Sequence, residues 1–401
     1  MQSQKLLSII SAILMVAADV AAQAQTVTPL CTPKMSDNTV VASAKQRYDA
    51  GQKAEPPLTD QANGFAWPDT PIGVIKTNDG YEFFASDGGL HSRQLWDGHW
   101  YGNNKYGSAT RTIGTLDNPL GTAAPIDVTI LPNPDPAVNP YYASYDYMGG
   151  GPVYEVPQGM PGAGNLLMVY HAEINTVTTQ SFYSVLALAA STNNGMSWTD
   201  LGEIIRINQA YRTDLDGYDI GDPPLVTSLD GKFFYIYFRD WLANGTTHWG
   251  NTITSMSVAR APIAEVLAMA FGSKPHAASF QKYYSGDWAL EPGIGGYSTD
   301  LNPNAPYAGE LQVAYNSYLK RYVMIIGEGV LFAYAESPDG LHWSTPVLIH
   351  QFSGQPNTYV MPVGTGADPR ILGKQFYLLY TYGGSGGWPS NYVGRLTATC
   401  Q

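Results

Sequence analysis

Ser191–Trp198 reads STNNGMSW and follows the apolar run FYSVLALAA; Ser337–Trp343 reads SPDGLHW and follows VLFAYAE. Both put a Ser, an Asn or Asp, a Gly and a Trp in the same order behind a strand-like stretch. Polar residues and Gly of this kind shape turns by bonding nearby backbone, so each copy marks where one strand ends and the next begins. Repetition of a turn implies repetition of the strands around it. Aligning the rest of the chain on this basis reveals five units, each with a short opening strand, a turn and a strongly aromatic second strand. The openings are DTPIGVI (from Asp69), GPVYEV (from Gly151), DPPLVTS (from Asp222), ELQVAYN (from Glu310) and DPRIL (from Asp368). Their partners are YEFFAS, NLLMVYHA, KFFYIYF, RYVMIIG and QFYLLYTY.

Five irregularly spaced units of this order predict an all-β chain folded as a five-bladed β-propeller, each opening strand innermost in its blade. A pair of β-sandwiches is the competing arrangement, but it does not account for the recurring order of opening, turn and aromatic strand. Composition agrees with many strands and tight turns: 42 Gly, 28 Pro and 28 Tyr stand beside only 13% charged residues. Helical periodicity is confined to APIAEVLAMAF, Ala261 to Phe271. A net charge of −12 without Lys/Arg clusters excludes nucleic acid as a partner.

Residues 1–24 read as a signal peptide: Lys5, the apolar stretch LLSIISAILMVAA and the small-residue site Ala22-Gln23-Ala24. Residues 25–401 then form one propeller domain, exported to the periplasm or the medium, monomeric and not membrane-bound once the leader is removed. Cys31 and Cys400 stand near the two ends of that domain. In an oxidising compartment such a pair forms a disulfide, which would latch the seam where the ring closes; two separate buried thiols are the alternative.

Residues at the first positions of innermost strands converge on the mouth of the central channel. Four openings place an acid there: Asp69, Asp222, Glu310 and Asp368. Crowded carboxylates repel one another, so the cluster needs a task or a cation, and paired carboxylates are what glycoside hydrolysis uses. An Asp before Pro also initiates turns, which is the plain reading of any one of them. His171 and Glu173 lie in MVYHAE, where a His suits a substrate hydroxyl or a metal, and a structural His is the plain reading. Arg93, Arg111, Arg239 and Arg370 suit a carboxylate; Arg370 adjoins Asp368, where a structural ion pair explains it equally well. Trp96, Trp100, Trp249 and Trp388 lie in polar or Gly-rich segments where a sugar ring could stack. There is no nucleophile elbow, zinc motif or phosphate-binding Gly loop, so no cofactor is expected, although a structural calcium in the channel is compatible with the acids.

STNNGMSW resembles the Asp-box turn of sialidases and other propeller proteins, with Asn193 in place of the Asp, and SPDGLHW resembles a shortened form of it. GDPPLVTSLDGKFFYIYF and ELQVAYNSYLKRYVMII look like units of the arabinanase and β-xylosidase group, glycoside hydrolase family 43 and relatives. That resemblance implies a secreted glycosidase acting on a poly- or oligosaccharide, with Glu310 as general acid and Asp222 as base or nucleophile. Asp368 or Asp69 would orient the site, and His171, Glu173, Arg370 and Trp388 would bind substrate. The family's order is Asp, Asp, Glu on successive blades, whereas the openings here run Asp69, Gly151, Asp222, Glu310, Asp368, which leaves the base open. A non-catalytic carbohydrate-binding propeller, and a sialidase-like or lyase enzyme on the same scaffold, remain the other readings.

Overall fold

A computed structural model describes residues 27–43, 70–85, 107–119, 121, 126–145, 147–175, 182–212, 219–221, 223–240, 255–302, 307, 309–353, 357–384 and 387–401. Its first strand, β1 (Lys34–Ser43), belongs not to the first blade but to the last. Blade one is β2 (Gly73–Thr77), β3 (Gly80–Ala85), β4 (Gly107–Gly114) and β5 (Ile126–Leu131). Blade two is β6 (Tyr147–Glu155), β7 (Leu166–Asn175), β8 (Phe182–Ser191) and β9 (Trp198–Ile205), its outer edge joined in parallel to β5. Blade three starts with a broken inner strand, β10 (Ile220–Gly221) and β11 (Leu225–Thr227), both paired with β12 (Phe233–Asp240). It continues through β13 (Ser255–Pro262), β14 (Gln281–Tyr284) and β15 (Asp287–Pro292). A short helix, α1 (Ile263–Ala270), follows β13 where helical periodicity predicts it.

Blade four is β16 (Glu310–Asn316), β17 (Arg321–Glu328), β18 (Leu331–Ser337) and β19 (Val347–Gln351). Blade five has β20 (Asn357–Gly364) innermost, then β22 (Gln375–Gly384), β23 (Gly387–Thr399) and finally β1. The remaining short strand, β21 (Ile371–Leu372), pairs in parallel with β16 of blade four. The molecule is a five-bladed β-propeller, and the N-terminal strand completes its last blade.

The aromatic runs follow from burial on both faces. Along β17, Tyr322, Met324 and Ile326 join the core shared with blade three, while Val323 and Ile325 join the core shared with blade five. A strand covered on both sides has no polar face to alternate with, so it reads as an unbroken apolar run.

The two quoted turns join the third and fourth strands of blades two and four. In each, the Ser hydroxyl accepts the Gly N–H: Ser191 from Gly195 at 2.9 Å, Ser337 from Gly340 at 2.8 Å. In each, the Asx Oδ1 accepts a later backbone N–H, Ser197 to Asn193 at 3.0 Å and His342 to Asp339 at 2.9 Å. Gly195 (φ +75°) and Gly340 (φ +84°) are left-handed, and a Cβ on either would lie 2.5 Å from Phe84 or Tyr237 of the preceding blade. Trp198 meets Phe84 edge-on at 5.7 Å, and Trp343 meets Tyr237 at 5.8 Å. The motif is therefore a blade-to-blade fastening.

One opening differs from the sequence reading. DPRIL is not the innermost strand of blade five; that strand is β20, NTYVMPVG, and Asp368 lies beyond its C-terminal end. Pro362 disguises β20, yet the innermost position leaves one edge unpaired, where the missing N–H costs little.

Candidate active site at the channel mouth

All five innermost strands line one cavity, through Gly73–Val74, Pro152–Val153, Pro224–Val226, Gln312–Ala314 and Met361–Val363. The strands run the same way through it, so their first residues gather at one mouth and the residues after them at the other. Glu310 is the first residue of β16. It faces Arg239 on β12, whose guanidinium is 3.0 Å from Glu310 Oε1 and 3.5 Å from Asp219 Oδ2. Asp219, just before β10, lies 3.7 Å from His171 Nε2, and Glu173 lies 3.9 Å from the same nitrogen. His171 and Glu173 share a face of β7 because they are two residues apart.

These groups are held from behind. Ser184 on β8 donates to Asp219 Oδ1 at 2.7 Å and accepts the Ile220 N–H at 2.7 Å. Gly221 leaves room for the guanidinium, since a Cβ there would sit 3.1 Å from the Arg239 terminal nitrogen. Tyr147 packs edge-on against the His171 ring at 6.4 Å. Burial lowers the His171 imidazole below its ordinary range; Arg239 acts in the same direction, against the raising influence of Asp219 and Glu310. Glu310 is anchored through one oxygen, while its other oxygen, Oε2, is buried and has no hydrogen-bond partner among the described residues. A carboxyl bonded through one oxygen leaves the other as the atom that can exchange a proton.

The structure thus gathers Glu310, His171 and Glu173, expected from sequence, with Arg239, and adds Asp219 and Ser184, which sequence reasoning missed. Asp219 could have been noticed only as the acid three residues before Asp222 in DIGDPP. Asp69 and Asp222 lie outside the described residues, as do Trp96, Trp100, Trp249, Arg93, residues 1–24 and the side chain of Trp388. Arg111 is committed elsewhere, in a two-point ion pair with Glu82.

Asp368 and Arg370 are separated from Glu310 by the length of the channel. They line a pocket with Lys76, Glu155 and Gln158, at and just beyond the C-terminal ends of β2 and β6. Eight residue steps along β6 correspond to roughly 25 Å between the two mouths. There Arg370 grips Asp368 with two bonds of 2.8 and 2.7 Å and stacks 4.2 Å from the Tyr154 ring centre. Burial tends to raise the Asp368 carboxyl, but the Arg370 bonds and charge outweigh it and hold the carboxyl below its ordinary range. Neither residue borders Glu310. Among the described residues no group of three or more His, Cys, Asp or Glu is placed to hold a metal ion, and no helix is long and apolar enough to cross a membrane.

No family model matches the chain, and no curated protein matches it. Among solved structures, it superposes on a family 117 glycoside hydrolase of the marine bacterium Zobellia galactanivorans with a TM-score of 0.52 at 11% identity, covering 92% of this chain and 91% of that one. The chain shares that protein's fold. The arabinanase of Bacillus subtilis gives a TM-score of 0.43 at 12% identity, covering 84% of this chain and 96% of that one. An α-L-arabinofuranosidase of Fusarium graminearum gives 0.46 at 9% identity, covering 91% and 98%.

Proposed function

We propose that this protein is a secreted glycoside hydrolase that cleaves a poly- or oligosaccharide at the channel mouth. The observation that carries the reading is the Glu310 carboxyl, with Oε1 on Arg239 and a buried Oε2 that no described residue occupies. Glu310 acts as general acid: Oε2 gives its proton to the glycosidic oxygen as the C–O bond breaks. Asp222 supplies the second carboxylate, as base or nucleophile, and His171 and Glu173 bind sugar hydroxyls. The glycoside hydrolase sharing the fold supports the reaction class, and the Cys31–Cys400 bridge supports export.

Glu310→Gln keeps an oxygen for Arg239 and removes the proton donor. Release of reducing ends from the best substrate of a broad glycan panel should fall roughly 10²–10⁴-fold, with an unchanged circular dichroism spectrum. Undiminished hydrolysis overturns the assignment. Arg239 spans two carboxylates and so balances part of the mouth's charge, which favours one second reading, a non-catalytic sugar-binding propeller. Wild-type binding with no reducing ends from any glycan would select it. Products absorbing in the ultraviolet would instead mark a lyase.

A further inference from the structure

Behind the mouth lies a second charged cluster that the proposed reaction does not use. Lys282, on β14, has no exposed side-chain surface, and Asp240, at the mouth end of β12, is 2% exposed. The Lys282 ammonium donates to the carbonyl of Arg206 at 2.7 Å and of Gly296 at 2.8 Å, and stands 3.6 Å from Asp240 Oδ2. Ser298 donates to the same carboxylate oxygen at 2.6 Å, and Ser257 donates to Ser298 at 3.0 Å. Arg206 follows the outer strand of blade two, while Gly296 and Ser298 lie in the segment after β15. One ammonium thus joins blade two, blade three and the chain leading toward Glu310.

Burying a lysine is costly even when it is paired, and an apolar side chain of similar shape often serves stability as well or better. Its position explains its use. Asp240 and Arg239 are neighbours on β12, so their side chains leave opposite faces of the strand. The cluster holds one face, and the Arg239–Glu310 pair occupies the other. We propose that Lys282, with Asp240 and Ser298, is a positioning device that fixes the mouth end of β12 and thereby holds Arg239 on Glu310 and Asp219. The proposal rests on the reading of Glu310 as a functional carboxyl, but it concerns geometry that exists with or without hydrolysis.

The test uses the full-length protein and the variant Lys282→Met, which keeps the chain's length and removes its donors. The His171 ring protons are followed by NMR across a pH titration and identified by their loss in His171→Gln. His171 faces Asp219 before β10, Glu173 on β7, Arg239 on β12 and Glu310 on β16, so it reports the cluster directly. Arg239 depresses the imidazole; if Lys282→Met releases Arg239, the His171 midpoint should rise toward the ordinary histidine range. On a hydrolysed glycan, kcat should fall by on the order of tenfold with KM nearly unchanged. Should Lys282→Met fail to fold, Ser298→Ala removes only the donor to Asp240, and the same His171 rise is expected in smaller measure. An unmoved His171 midpoint in the folded variant overturns the proposal, even if the melting temperature drops. A moved midpoint in a wild-type background that hydrolyses nothing sustains it while defeating the glycosidase reading.

Discussion

Asp200, on β9, shows how a single buried acid ties this fold to pH. It has no exposed surface, and its Oδ1 accepts the Tyr170 hydroxyl at 2.7 Å and the Gly202 N–H at 2.8 Å. Burial raises the carboxyl above its ordinary range, and bonds from Tyr170, Gly202 and Asn139 only partly oppose this. A raised carboxyl means that the folded state binds the proton more tightly than the unfolded chain does. That contribution to stability is complete below the unfolded value, about 3.9, and is lost as pH rises through the folded value. Asp200→Asn keeps an oxygen for both donors and carries no charge. Between pH 4 and pH 8 the variant should therefore gain on the wild type in urea unfolding, with the gap widening upward in pH. Glu203, also raised by burial, remains and leaves part of the slope. A gap that stays flat, or narrows, with rising pH would refute the assignment.

At the scale of the element, the two fastening turns explain why Gly and Trp recur together. A left-handed Gly turns the chain so that the preceding blade's ring fills the space where a Cβ would stand, and the Trp closes over that ring. Gly195→Ala meets both obstacles: a left-handed backbone, about 1–2 kcal/mol, and overpacking against Phe84, about 1–3 kcal/mol. Gly231 is the internal control, because it is left-handed (φ +68°) with nothing within 4 Å of the Cβ position. Gly231→Ala should lose only the first of these, and the difference between the variants by urea unfolding measures the blade contact. Equal losses would show that the ring does not constrain Gly195. These turns were also the most legible part of the sequence, because their chemistry is local: Ser, Asx and Gly act within a few residues. β20 was hidden since its cue is the pairing edge, which sequence does not display, and DPRIL imitated DPPLV through a shared Asp-Pro. The mouth cluster was half legible. Glu310 stands at a strand start, whereas the grip of Ser184 on Asp219 and of Lys282 on Asp240 joins residues tens of positions apart, with no local pattern.

For the whole molecule, the decisive step is closure of the ring. β1 pairs with β23, Lys34 opposite Thr399, and the Cys31–Cys400 bridge spans a separation of 369 residues beside that pairing. The segment before β1 is also fixed to blade four. Glu336, fully buried on β18, accepts the N–H groups of Leu30 at 2.8 Å and Cys31 at 2.9 Å, and Arg321 donates to the Thr28 carbonyl at 3.0 Å. The N-terminal segment therefore spans the seam between blades four and five, and three different interactions hold it. Cys31→Ser with Cys400→Ser removes the covalent one, which in the chain-entropy account is worth about 6 kcal/mol for so long a loop. The same carboxylate also accepts the Tyr334 hydroxyl at 2.9 Å and Arg321 at 3.5 Å, so Glu336→Gln must turn an amide N–H toward donors, a loss of about 1–3 kcal/mol. Hydrogen exchange should then show residues 28–43 losing protection first in either background, and most in the combined variant. His171, Arg239 and Glu310 sit on blades two to four, away from β1, so the His171 titration should be unchanged in the folded double-serine protein. Loss of protection that begins at the channel mouth, or everywhere at once, would show that the ring does not open at its seam.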